Sequence, residues 1–404
     1  MLGVVPDEPL RDLSIYWFLP SHGDGRALSR RAGDGGRTGA YAAQRQPDLT
    51  YLAQVAGAVE TLGFAGMLVP AGLYCEDPWL VATALAQRTE RVMLMLAVRP
   101  SLLSPVLAAQ MAATGQRLTG HRLQLNVVTG GSSQEQARYG DWLDHDERYA
   151  QTDEFLTILR EVWSGRPVDF HGRHFRVKDA LLARPPLVPP PVFVGGSSPA
   201  AHRVAGRLGD VYLAWGEPPE QLQPLFTNAS ESAAEHGRTL SLGTRFHVIS
   251  RDTAAQAWAE ADRMVADLDP AMVAAAQERA RRADSEGQRR MAALHGGRLD
   301  RLEVYPNVWT GHGLLRPGAG AALVGDHHEV AERIAEYHAL GVRHLILSGQ
   351  PHLEEAYWFG EGVMPLLRAR GLLGGEPTTT PTDLVDSTAR PVAAGTRATR
   401  GAED

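Results

Sequence analysis

Cysteine is nearly absent from this 404-residue chain: Cys75 stands alone, so no internal disulfide can form and a cysteine-based zinc site is excluded. Also missing is any apolar run long enough to span a bilayer. Basic residues are outnumbered, 40 Lys and Arg against 47 Asp and Glu, for a net charge of −7. Nucleic acids and anionic membranes both require clustered cations, so neither is an expected partner. There is no GxSxG, no P-loop and no GxGxxG after a first strand, which leaves hydrolase, NTPase and dinucleotide-binding readings without support. The histidines show no metal-ligand spacing. His327 and His328 fall in a polar turn, His171 and His174 in an expected hairpin; all four are expected at the surface, and no metal is expected. The opening MLGVVPDEPLRD is acidic and carries too short an apolar stretch for a secretory signal, so a reducing, cytoplasmic setting is the expectation.

What the chain does have is a series of strand-like apolar runs, each ending in residues too polar to be there for packing. LSIYWFLP stops at Ser21-His22-Gly23-Asp24-Gly25, RVMLMLAV at Arg99-Pro100-Ser101, RLQLNVVTG at Gly130-Gly131-Ser132, and PPVFV opens into Gly195-Gly196-Ser197-Ser198. In parallel α/β folds ligands sit at the carboxyl ends of strands. Eight strand candidates can be counted: Leu13–Pro20, Gly63–Pro70, Arg91–Val98, Arg122–Thr129, Pro191–Val194, Asp210–Trp215, Thr244–Ser250 and Arg343–Ser348. Helical patterns alternate with them, so the expected fold is an α/β TIM (β/α)8 barrel over 13–372. Three stretches depart from the repeat. Residues 26–47 read as an irregular loop, and 269–323 as an insertion or lid between strands seven and eight whose GHGLLRPGAGA should be mobile. The tail 373–404 is Thr-, Pro- and Gly-rich and should be disordered, while 1–12 is an N-terminal extension.

Some of these strand ends carry chemistry. Gly195, Gly196, Ser197 and Ser198 precede a helix, where backbone amides and hydroxyls favour a phosphate-bearing cofactor; a plain serine N-cap is the alternative. Arg245 and His247 lie two apart on one strand and project together, a cation beside an imidazole suited to anion binding and proton handling. His22, Cys75, Asn126, Thr129, Tyr149, Trp215 and His352 follow or end strands, each a weak signal alone. Cys75 reads more readily as a small buried hydrophobe, and Glu76 and Asp77 beside it are expected to raise its thiol pKa.

The stretches WFLPSHGDG, CEDPWLVA, LDHDERY, PPPVFVGGSS, VYLAWGEPPE, RFHVISRD, GQRRMAALH, GAGAALVGD and SGQPHLEEAY resemble the alkanesulfonate monooxygenase branch of the bacterial-luciferase-like flavin monooxygenases, in the same order from about Leu13 to Leu367. The resemblance implies a two-component system. A separate NAD(P)H-dependent FMN reductase supplies reduced FMN (FMNH2), O2 is the oxidant, and a small organosulfonate is cleaved to an aldehyde and sulfite, serving sulfur assimilation. It also implies a homo-oligomer, dimer or tetramer, and a lid that closes over the site. By position, it assigns Arg245, His247, Arg316, His352, Trp215 and Cys75 to the reacting end, Cys75 near the substrate and not as a nucleophile. Gly195, Gly196, Ser197 and Ser198, with His22, Asn126 and Tyr149, are assigned to the flavin.

Two departures stand out. Gln350-Pro351-His352 replaces Tyr-Pro-His, and Gly72-Leu73-Tyr74-Cys75-Glu76-Asp77 replaces Gly-Arg-Ser-Cys-Glu-Asp, so a phenol, a cation and a hydroxyl are lost. They admit a luciferase-like monooxygenase acting on another small molecule. A non-catalytic flavin-binding protein is a further reading, against which stand Arg245, His247 and Arg316 together.

Overall fold

A computed structural model describes residues 12–26, 28 and 44–374. Most of each of the expected segments 1–12, 26–47 and 373–404 lies outside the described residues.

Eight parallel strands close into a barrel: Ser14–Phe18, Gly66–Val69, Met93–Val98, Leu123–Val127, Val192–Gly195, Val211–Trp215, Ser241–Arg251 and Val342–Ser348, numbered one to eight below. Each pairs with the next, strand six pairs with strand seven, and strand one with strand eight, so no barrel edge is left open. Alternation explains the wall. Trp17, Met67, Leu94, Val194 and Leu347 face the helices, while Tyr16, Phe18, Met95, Phe193 and Ile346 fill the lumen. Helix starts are set by local chemistry: Asp48, Asp77 and Ser198 each accept an amide of the first turn.

The insertion between strands seven and eight is more structured than its sequence suggests. Two helices, Pro270–Arg281 and Glu286–His295, are followed by short strands Glu303–Tyr305, Val308–Trp309 and Ala322–Asp326. The last is parallel to strand seven, pairing Ala322 to Asp326 with His247 to Arg251. Strand seven is eleven residues long for this reason: its first half belongs to the barrel and its second half carries the insertion. A separate small core, with Ile249, Met264, Trp309, Leu314 and Val324, seals the two together.

GHGLLRPGAGA is packed, not loose. Gly311–Leu314 forms a buried 3-10 turn, and the Gly313 amide donates to Gly320 O at 3.2 Å. The histidine expectations are also corrected in part. The hairpin Val168–His171 and Arg176–Ala180 is present, but the His174 side chain is covered against Glu147. His327 starts helix His327–Ala339, meets Ser250 Oγ at 2.8 Å and stacks on Trp358.

Candidate active site

Every residue singled out from the sequence lies at the carboxyl end of the barrel or on the insertion above it. They fall into two groups.

The first surrounds the end of strand five. Gly196 has φ 142°, and a Cβ there would sit 2.3 Å from Tyr149 Oη, so only glycine admits this phenol. Tyr149 is buried and reaches Gly195 O at 3.4 Å; Tyr212 donates to Gly196 O at 2.7 Å. Ser197 and Ser198 are buried, and Ser198 Oγ caps the Ala201 amide at 3.2 Å. Both readings of this serine therefore coexist: the cap is real, and it stands beside a cradle of small residues. The start of helix Glu286–His295 covers it. A Cβ on Gly287 would meet Trp215 at 3.2 Å and Ser197 Oγ at 3.4 Å, and one on Gly131 would meet Ser285 at 3.8 Å.

Arg148, in the DERY stretch, was not singled out and belongs here. It is 2% exposed, yet its Nε and Nη2 have no hydrogen-bond partner and the Asp284 carboxylate stays 3.6 Å away. Asn126, lumen-facing on strand four, likewise has an unpartnered, buried Oδ1. Buried polar atoms left this way lose about 1–3 kcal/mol each, which a ligand would restore. A phosphate-bearing cofactor fits this donor set.

The second group is titratable. Arg245 and His247 do face the lumen: the Arg245 guanidinium lies 4.2 Å from the Phe18 ring centre, and His247 Nδ1 meets Ser348 Oγ at 2.9 Å. His247 Nε2 meets Ala319 O, on the insertion, at 3.1 Å. A carbonyl only accepts, so Nε2 carries the proton and the Ser348 hydroxyl donates to Nδ1. His312 stacks on the His247 ring at 3.8 Å. Burial, then neighbouring His312, Arg245, Arg316 and His352, holds His247 well below the usual imidazole range. His312 is lowered the same way, by burial and then Arg316 and His352.

The His22 and His352 rings meet edge to face, their centres 6.1 Å apart. Burial, then His352 and Arg316, with Arg245 adding to it against the opposing Asp24, lowers His22 to about 3. Asp24 is the second residue that sequence reasoning missed. It is buried, takes His352 Nδ1 at 3.0 Å and the His352 amide at 2.7 Å, and accepts the Tyr51 hydroxyl. Burial alone would raise its pKa; the His352 charge and these hydrogen bonds outweigh that and hold it below the usual carboxylate range.

Cys75 is half-buried in the loop that follows strand two, and burial pushes its thiol up to about 12, against a lowering hydrogen bond to Ser21 and with Glu135 adding to the rise. The direction is the expected one, but its main cause is burial, to which Glu135 adds. Gln350 is buried, whereas Leu73 and Tyr74 are about half exposed, at 51% and 48%. Among the described residues no cluster of three or more His, Cys, Asp or Glu is arranged to hold a metal, and no helix is long and apolar enough to cross a membrane.

The profile of the luciferase-like monooxygenases matches residues 17–344. The chain belongs to this family. Its fold is shared with luciferase-like and related barrels of known structure. Riboflavin lyase, solved with a modified FMN and riboflavin, superposes with TM-score 0.77 at 21% identity over 94% of this chain and 96% of that one. EDTA monooxygenase from Chelativorans sp. BNC1 gives 0.74 at 20% identity, over 93% and 98%. A long-chain alkane monooxygenase gives 0.70 at 19%, over 90% and 93%. At these identities the likeness concerns the fold.

Proposed function

We propose that this luciferase-like protein is the oxygenase of a two-component system that desulfonates small alkanesulfonates, taking FMNH2 from a separate NAD(P)H-dependent FMN reductase. The balance is an alkanesulfonate, O2 and FMNH2 going to an aldehyde, sulfite, FMN, water and one proton. Bound FMNH2 would supply two electrons and activate O2. Arg148, Tyr149, Ser197, Ser198 and Asn126 would hold it, with the phosphate toward Arg148 and the serines.

One feature carries the substrate class: the Arg245 guanidinium lies over the Phe18 ring at 4.2 Å in the lumen, and Arg316 stands on the insertion where its amide donates to His312 O at 3.2 Å, beside the His312 ring that stacks on His247. A sulfonate is a permanent anion with three acceptor oxygens, suited to planar guanidinium donors. The insertion, packed over the barrel mouth, would exclude water from the gripped anion. His22, Trp215, His247, His352 and Cys75 would shape the remaining walls.

The test is sulfite release from C1 to C10 alkanesulfonates by purified protein with FMN, NADH and a generic flavin reductase. Sulfite above the reductase-only control supports the reading. None from any member, with reduced flavin still bound, overturns it in favour of a different small substrate. That second reading is favoured by Gln350, buried where relatives of the sulfonate branch have a phenol. Tyr74, whose ring lies 6.3 Å from His22, would then return the phenol from another strand end. Tyr74→Phe should lower turnover far more than Gln350→Ala; equal small effects would sink that idea.

A further inference from the structure

We infer that His352, and not His247, is the imidazole that exchanges a proton with the bound reactants, through Nε2, and that Asp24 is the positioning residue that fixes its tautomer; the inference rests on the oxygenase reading above.

The two rings differ in what their nitrogens already do. Both nitrogens of His247 are committed, one to Ala319 O and one to Ser348 Oγ, and its face is covered by His312. To give or take a proton it would have to release the insertion. His352 has one nitrogen committed. Nδ1–H points at Asp24 Oδ1, which leaves Nε2 as the acceptor, on a ring packed 5.9 Å from Phe18 and 6.1 Å from His22 at the mouth of the barrel. No hydrogen bond to Nε2 exists among the described residues.

Asp24 is held to this task from several sides. Its oxygens also accept the Gly25 amide at 2.8 Å, the His352 amide and the Tyr51 hydroxyl. Tyr51 is backed by Arg45 at 3.5 Å, and Arg45 is paired with Glu354 in the first turn of the helix that His352 begins. The Asp24 backbone is tied to Arg45 by a reciprocal pair of amide bonds at 3.0 Å. A carboxylate so fixed can neither rotate away nor be replaced by water, and it stabilises the imidazolium once Nε2 takes a proton. In the proposed reaction the carbon next to sulfur loses a proton as it becomes the aldehyde. That proton is the one assigned to Nε2, from which it leaves to solvent.

The experiment is nitrogen NMR of 15N-histidine-labelled protein, with His352 assigned by its loss in His352→Asn, alongside steady-state kinetics of wild type, Asp24→Asn and Tyr51→Phe. The wild-type neutral ring should be protonated on Nδ1. Asp24→Asn, whose amide can donate to Nδ1, should move the proton to Nε2 and lower kcat on the order of 10²-fold, with the affinity for FMNH2 kept within threefold. Tyr51→Phe, which leaves the carboxylate in place, should keep the tautomer and lose less than tenfold, and it stands in if Asp24→Asn does not fold. A wild-type ring protonated on Nε2, or Asp24→Asn within threefold of wild-type kcat, overturns the inference. If no sulfonate is turned over, the failure belongs to the substrate reading, and the NMR arm, which needs no substrate, decides alone.

Discussion

His247 on strand seven and His312 on the insertion lie face to face, ring centres 3.8 Å apart and planes within 15° of parallel. Such a stack is stable only while both rings are neutral, because two imidazolium charges at that separation repel strongly in a buried setting. Other buried histidines repeat the theme. His22 is lowered to about 3, and burial, then Arg343, lowers His344 to about 4.

The folded protein should therefore be acid-labile. The unfolded chain takes up protons on these histidines near pH 6.5 while the folded chain does not, so stability present above about pH 6.5 is lost as pH falls, by about 1.4 kcal/mol per pH unit for each such ring. Glu355, pushed up to about 7 by burial against the lowering effect of Arg251, and Glu217, raised by burial against its pairing with Arg290, have the opposite sign, but they are two groups against six lowered histidines, since burial lowers His202 and His295 too. Urea midpoints at pH 7.5 and 5 check this. His312→Leu should shrink the difference, and a midpoint independent of pH would contradict it.

Gly196→Ala forces a Cβ against Tyr149 Oη and, at 2.6 Å, against Ala201 Cβ, on a backbone conformation that side chains rarely adopt. A loss of about 2–4 kcal/mol in stability is expected, with FMNH2 affinity falling at least tenfold. Adding Tyr149→Phe removes the nearest clashing atom and should recover part of both. Strict additivity in the double-mutant cycle would show that the phenol is not what the glycine accommodates.

Arg148→Met keeps the stem and removes the buried guanidinium. Affinity for FMN should fall about 10- to 100-fold, as expected for a charge-assisted contact worth about 1.5–3 kcal/mol, while that for riboflavin, which lacks the phosphate, should barely change. Fluorescence titration with both ligands reads the difference. Equal losses would place the phosphate elsewhere.

Cys75 should be a poor nucleophile. With its thiol pushed up to about 12 by burial, thiolate at pH 8 is scarce, so alkylation by iodoacetamide should be at least tenfold slower than for a free cysteine. Mass spectrometry of the intact protein follows it, and Cys75→Ala should retain turnover within about threefold. Rapid labelling would contradict the assignment.

The barrel was legible because its signal is repeated: eight near-continuous apolar runs, each closed by turn chemistry and separated by helical patterns, leave few alternatives. Arg245 and His247 were legible for a related reason, since two polar residues on one face of a barrel strand belong in the lumen. What escaped was long-range. Nothing local in ALVGD says that it adds to strand seven, because its partner lies over seventy residues earlier. The glycines of GHGLLRPGAGA promise looseness, and only the contact of His312 with His247 and of Gly313 with Gly320 removes it. Asp24 sits in plain view in SHGDG, but its partner His352 is 328 residues away. Arg148 was masked by a stronger neighbour, Tyr149. Its meaning comes from having unpartnered donors, which no sequence reports.

The shared length of strand seven has a consequence for how the protein fails. Because Val248 to Arg251 pair with the insertion beyond the barrel wall, peeling the insertion away would leave the barrel closed but bare a short run of unpaired strand, flanked by Ile249 and the apolar surface of the small core. Such an edge is a template for another chain. Partial unfolding at this corner would thus yield a folded, self-associating species, and the insertion would guard solubility as much as it shapes the mouth of the barrel.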